Sequence, residues 1–329
     1  MSTSTKVLVV SDASRGDLSG AGRELLALGR TLADALDGSV AFLAMGVNAA
    51  KLAQDAAAAG ADCICDVAGA EQSGYHPELF AALILAACRQ LGPRVILFSH
   101  AALGLDLAPR VAFGLGARWA TNCVGVRVQE GVLHCLRNEV GGKVQALEAI
   151  DGQVVVTLRP KSVDISASQP ARHAATVAIA APAASSATSI TFLARQQQDG
   201  GAAAELENAE TIVTGGLGMG SAEAFGKLQA LAGALGASLA GSKQAVDRGW
   251  ISADRQVGAT GTTVAPKLYV AVALSGALQH MAGCQKSKMI VAINTDPEAP
   301  IFRFARYGVV EKWEVLVPEL LARLHSRSA

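Results

Sequence analysis

The sequence predicts an α/β protein of two domains, each with a mainly parallel, doubly wound sheet, the first carrying an antiparallel addition. Three observations support that expectation. Strand-like and helical runs alternate from the N-terminus. After Leu115 the pattern changes to short alternating strands parted by EG, GG and DG turns. Ala-, Ser- and Gly-rich stretches between about residues 168 and 210 then separate that part from a second α/β alternation.

Taken in order, the first alternation reads KVLVVSD, RELLALGRTLADAL, SVAFLAMG, NAAKLAQDAAAAG, ADCICDVAG, HPELFAALILAACRQL and RVILFSHA. The longest near-apolar run within it, LFAALILAAC, is about half the length a bilayer span requires, so it is expected as a buried helix face. CVGVRVQ, VLHCLRN, KVQALEA and QVVVTLRP follow as the expected antiparallel addition. APAASSATS and DGGAAAELENAE flank the apolar segment ITFLA and mark the boundary. The second alternation is TIVTGG, SAEAFGKLQALAGALG, KLYVAVAL, ALQHMAG, KMIVAIN and finally WEVLVPELLARL. The expected division is an N-terminal domain over 1–185, a linker over 186–208 and a C-terminal domain over 209–329.

Composition narrows the function classes. At 329 residues and 51% apolar content the chain has ample core for two domains, and with 4% aromatics that core must rest on Ala, Val, Leu and Gly. Twenty-eight basic residues balance 28 acidic ones with no Lys/Arg block, so nucleic acid is not an expected partner. The strand-like KVLVVSD begins within a few residues of Met1, which leaves no room for a secretory or transit segment and leads us to expect a bacterial cytoplasm, without a membrane span. Six scattered cysteines include one C-x-C pair, Cys63 and Cys65, a spacing that fits buried reduced thiols better than metal or redox use. Tyr75, His76 and His134 have no partner at useful spacing and are expected to be structural. No G-x-S-x-G or paired-carboxylate arrangement suggests a hydrolase.

Three glycine-bearing stretches remain. GGLGMGS, residues 215–221, follows a strand but has Ser221 in place of the third glycine, and no acidic residue closes the next strand, where SLAGSK stands. A nicotinamide-dinucleotide site therefore has weak support, whereas a strand-to-helix turn with Ser221 as N-cap fits either way. QVGATGTT, residues 256–263, reads as a loop before Pro266, suited to a ligand or to an ordinary surface turn. SGALQH, residues 275–280, lies where LYVAVAL gives way to a helix. That placement makes Ser275 and the following amides an anion-binding helix start at the carboxyl edge of the sheet, with Gln279 and His280 on the first turns. A lone histidine there also fits a satisfied structural residue.

The segment 257–310, with SGA-x-QH-x-AG and VAIN-x-DP-x-APIF, resembles the flavin-binding domain of electron transfer flavoprotein α subunits, and the resemblance extends more weakly over nearly the whole chain. It implies an α/β heterodimer whose FAD is carried mostly by this chain's second domain, while the β subunit covers the site and holds an AMP. Electrons would arrive in pairs from a flavin dehydrogenase and leave singly toward a quinone-linked acceptor, with no substrate chemistry of the chain's own. By the same resemblance His280 lies near the pyrimidine edge of the flavin, and Thr260 reaches its N5. Ser242 and the turn formed by Ser275, Gly276, Ala277, Leu278, Gln279 and His280 are further contacts, and Asn294 faces the ribose and adenine end. Val257, Gly258, Ala259, Thr260 and Gly261 form the matching loop.

This sequence departs from the family pattern at several of those positions. Leu217 stands where arginine is usual, Ser242-Lys243 replaces Ser-Arg, and Ala259-Thr260-Gly261-Thr262 replaces Gln-Thr-Gly-Lys. Arg306 replaces an aspartate. Loss of a guanidinium at Leu217, with a lysine at 243 that cannot reproduce its planar fork, predicts a lower reduction potential, and Arg306 could meet a phosphate. The altered set points to a dedicated donor such as an amine or betaine demethylase. It also supports an alternative, a degenerate FAD-poor structural subunit of a dedicated dehydrogenase complex. Thr260, Ser275, Gln279, His280 and Asn294, all retained, favour bound FAD.

Overall fold

In the computed structural model, residues 4–12, 18–45, 52–67, 75–140, 144–163, 165, 174–180, 193 and 201–328 are described. Two compact units divide near residue 195. Most of the expected linker, including nearly all of ITFLA, lies outside the described residues.

The first unit runs β1 (Thr5–Asp12), α1 (Gly20–Ala35), β2 (Ser39–Met45), α2 (Ala53–Ala58), β3 (Cys63–Val67), α3 (Pro77–Leu91), β4 (Val95–Ser99) and α4 (Ala102–Leu115). Then come β5 (Arg118–Gln129), β6 (Val132–Glu139), β7 (Val144–Ile150), β8 (Val154–Leu158) and β9 (Ala175–Ile179). They form a nine-stranded sheet in the order β7-β6-β5-β8-β4-β1-β2-β3-β9. Among the described residues only the β5-β6-β7 meander is antiparallel. QVVVTLRP is therefore not part of that addition, as the sequence suggested; β8 inserts parallel between β4 and β5. Its five residues are all buried because both faces of the sheet are covered. Val154 and Val156 pack with α1 on one side, and Val155 packs with α3 and α4 on the other. The run 79–88 is the buried face of α3, as expected. All six cysteines carry free thiols, five of them buried. Tyr75 does have a partner, since its hydroxyl donates to Asp106 at 2.5 Å.

The second unit begins with α5 (Gly201–Asn208), then β10 (Thr211–Gly215), α6 (Ala222–Ala234), β11 (Ser238–Gly241), α7 (Lys243–Asp247) and β12 (Leu268–Val272). It ends with α8 (Leu278–Cys284), β13 (Ile290–Asn294), β14 (Tyr307–Val310) and α9 (Trp313–Ser328). Within the stretch DGGAAAELENAE, expected as boundary loop, residues 201–208 form α5. Its Ala, Glu and Leu are strong helix formers, Leu206 is buried, and Glu205 pairs with Arg255 at 3.3 Å. The sheet is wholly parallel, ordered β11-β10-β12-β13-β14. One face packs on α6 and α9, the other on α5 and α8.

Candidate functional site

In the second unit the chain passes from β10 outward to β11 and then returns across β10 to β12. The connections leaving β10 and β12 therefore diverge, and at the carboxyl ends of a parallel sheet such a divergence opens a crevice. A cavity of about 560 Å³ lies there. Residues 216–218 and 273–275 wall it, together with Ser242, Ala277, His280, residues 293–296 and residues 311–314.

Two loops meet backbone to backbone at this edge. Gly216 N–H donates to the Val272 carbonyl at 2.9 Å and Gly218 N–H to that of Ala273 at 3.1 Å. A Cβ on Gly216 would collide with the Ala273 carbonyl oxygen, so no other residue allows this approach. On the other loop Gly276 adopts φ +80°, with a hypothetical Cβ inside the backbone of Ile301, whose N–H donates to the Ser275 carbonyl at 3.0 Å.

The helix after that loop starts later than the sequence suggested. Ala277 is the N-cap of α8, so Ser275 lies two residues before the cap and its hydroxyl makes no cap bond. Gln279 and His280 do fall on the first turn, where the His280 N–H donates to the Ala277 carbonyl at 2.9 Å. The turn at 215–221 behaves as expected, with Ser221 Oγ accepting from Ala224 N–H at 3.3 Å.

Of the sequence-nominated residues, Leu217, Ser242, Ser275, Ala277, His280 and Asn294 line the cavity. Ser242 is buried, caps α7 by accepting from Ala245 N–H at 3.4 Å, and donates its own N–H to the Gly215 carbonyl. Asn294 is committed locally: its amide donates to the Leu274 carbonyl at 3.0 Å, and its Oδ1 accepts from Asp296 N–H at 3.0 Å.

The others stand back from the wall. Lys243 reaches along α7 to Asp247, with Nζ 2.7 and 2.8 Å from its two oxygens. Arg306 is exposed, and its N–H donates to the Ile290 carbonyl. The loop holding Val257, Gly258, Ala259, Thr260 and Gly261 packs on α8 instead. Ala259 N–H donates to the Gln279 carbonyl at 2.7 Å, and Thr260 Oγ1 accepts from Gln256 at 2.9 Å. Gly276, Leu278 and Gln279 carry the turn without themselves facing the cavity. Sequence reading missed residues 311–314, which enter from the start of α9 and bring Glu311, Lys312, Trp313 and Glu314 to the wall. No motif marks them; the return of the chain past β14 places them there.

His280 is 7% exposed. Its Nε2 lies 2.8 Å from the Tyr269 hydroxyl, and its buried Nδ1 has no hydrogen-bond partner. Burial lowers its pKa to about 4, and the Val257 carbonyl beside the ring only partly offsets that. Burial likewise pushes the Cys284 thiol up to about 12 and the Tyr269 phenol well above its usual range. The buried trio His280, Tyr269 and Cys284 is therefore neutral near pH 7. Glycine-backed loops, the helix start at Leu278 and Gln279 and one orphaned, buried ring nitrogen fit a large cofactor with carbonyl and phosphate acceptors. Among the described residues no cluster of His, Cys, Asp or Glu could hold a metal ion.

Comparison with known proteins returns two family models, an electron transfer flavoprotein domain over residues 7–184 and an electron transfer flavoprotein FAD-binding domain over residues 205–285. The chain is 34% identical over 323 residues to the electron transfer flavoprotein subunit alpha of Thermoanaerobacterium thermosaccharolyticum, covering 97% of each chain. It is 33% identical to the subunit of the same name from Bacillus subtilis, over 96% of each. Protein FixB of Clostridium saccharobutylicum is also 33% identical, over 96% of this chain and 95% of that protein.

Proposed function

The chain belongs to the electron transfer flavoprotein α-subunit family, and from that membership we propose that its second unit holds the FAD of an α/β heterodimer. The observation that carries this reading is the cavity at the divergence of β10 and β12, within and beside the span of the FAD-binding family model. Bound FAD supplies paired electron uptake and single-electron release.

The chain's own residues bind and orient. Gly216 and Gly276 let backbone approach a ligand closely, and at the start of α8 the amides of Leu278 and Gln279 offer donors to anionic oxygen. Ile293 and Leu274 make the buried wall apolar, which excludes water. His280 offers a neutral imidazole instead of a cation. Leu217, half-exposed at the rim, adds no charge. Lys243 pairs with Asp247 along α7 and stands back from the cavity wall, so it brings no charge to the wall itself. Both facts support a flavin of lowered potential and hence a dedicated donor dehydrogenase, of the amine or betaine demethylase kind, ahead of a quinone-linked acceptor. Full-rate reduction of the heterodimer by an acyl-CoA dehydrogenase would sink that donor assignment.

In this reading residues 1–185 contact the β subunit, residues 186–208 link, residues 209–329 carry the FAD, and AMP sits in the partner. The chain is an electron carrier without substrate chemistry, working in a bacterial cytoplasm. A second reading, an FAD-poor structural subunit, is favoured by the local commitment of Lys243 and Asn294.

Absorbance spectra of the co-expressed heterodimer, with FAD released and quantified after denaturation, separate the two. One FAD per heterodimer is expected. A stable, colourless heterodimer would establish the structural subunit instead.

A further inference from the structure

Tyr269, on β12, is completely buried, yet its hydroxyl reaches His280 at the cavity wall. A neutral imidazole has one donor and one acceptor nitrogen, and a phenol can serve either. Two arrangements are therefore open to the pair. Either the phenol donates to Nε2 and the ring proton sits on Nδ1, or Nε2–H donates to the phenol and Nδ1 is bare. The backbone group beside the ring is the Val257 carbonyl, an acceptor that does not reach hydrogen-bonding geometry with Nδ1. A bare Nδ1 would bury a lone pair against that carbonyl, whereas Nδ1–H faces it favourably.

We propose that Tyr269 is a positioning residue of the cofactor site: by donating to Nε2 it fixes His280, a residue of the cavity wall, as the neutral tautomer with its proton on Nδ1. The inference rests on the flavoprotein reading for its consequence, and on the Tyr269–His280 pair alone for its geometry. Thr214 and Cys284 also stand beside the Tyr269 hydroxyl. Cys284, whose thiol lies on the same buried side, keeps its proton, so no anion there favours an imidazolium. The Tyr269 phenol also stays protonated and remains able to donate.

The test is a long-range proton–nitrogen correlation spectrum of the heterodimer labelled with nitrogen-15 histidine, recorded near neutral pH with and without FAD. His280 signals are assigned by their loss in His280→Gln. The wild type is expected to show one neutral tautomer protonated on Nδ1. In Tyr269→Phe the two tautomers mix and FAD affinity falls by about two- to three-fold, because only the share protonated on Nδ1 is ready to bind. A wild-type proton on Nε2, an unchanged tautomer in Tyr269→Phe, or an unchanged affinity despite mixing overturns the proposal. Should Tyr269→Phe fail to fold, the wild-type spectrum still decides. Should the heterodimer take up no FAD, the flavoprotein reading fails while the FAD-free spectrum still reports the tautomer.

Discussion

His280 shows how far a residue's surroundings can move its chemistry. By the family resemblance it lies near the pyrimidine edge of a flavin, where burial keeps the ring neutral instead of cationic. That burial has a consequence for stability. Its folded pKa of about 4 lies below the unfolded value of about 6.5. Below that unfolded value the unfolded chain binds a proton that the folded chain refuses. Stability is then full above about pH 6.5 and declines as pH falls toward about 4, by on the order of 3 kcal/mol in all. Denaturant unfolding of the wild type and His280→Gln across that window should show the slope in the first and its reduction in the second. Leu217 allows a second test at this scale. Leu217→Arg puts a half-exposed cation at the rim, and the midpoint potential of the bound flavin is expected to rise by about 30 mV, as solvent screening limits the gain. Spectroelectrochemical titration reads the shift, and a fall would contradict this account of the rim.

At the scale of elements, the site is a set of loops held open by two glycines. Gly276→Ala puts a methyl group into the Ile301 backbone at a left-handed φ, so its loop must move. The expected cost is about 2 kcal/mol or more, with loss of FAD on gel filtration; thermal unfolding and released-FAD counts check both. Ala273, held at φ +51° between the two loops without being glycine, marks strain at the same edge. The elements that sequence reading misplaced have a common cause. VVVTL was grouped with its antiparallel neighbours because a turn signal joins them, yet its unbroken apolar run is the mark of a strand covered on both faces. α4 and β14 were not anticipated: α4 carries Pro109 inside it, and every residue of β14 is exposed, so neither has the expected pattern. β9 pairs with β3 across more than a hundred residues, a distance that local pattern does not bridge.

Across the whole molecule, each compact unit has its own sheet and its own pair of core clusters. No helix among the described residues is long and apolar enough to cross a membrane. On the first unit Phe113 is 92% exposed, near the half-exposed Trp119. Large apolar side chains left in water are often interaction sites. If the first unit contacts the β subunit through them, Phe113→Glu should weaken recovery of the heterodimer in size-exclusion chromatography while leaving the far-ultraviolet circular dichroism of the chain unchanged. A heterodimer recovered at wild-type yield would place the contact elsewhere.

Periodicity and turn chemistry are local, and they were enough for the α/β class, the two sheets, the N-cap at Ser221 and the strand-to-helix turn that bears His280. The long motifs between 257 and 310 were enough for the family. What they did not contain was which side chains share a space. Lys243 turns to Asp247, Asn294 ties its own loop, and the residues 311–314 arrive at the cavity from the far end of the chain. The first of these is a pair within one helix turn and the second mostly a loop closing on itself, whereas the arrival of 311–314 is decided by the strand order. The switch between β10 and β12 opens the cavity and brings Tyr269 under His280, and hydrogen bonds between residues distant in sequence then settle which groups remain free for a ligand.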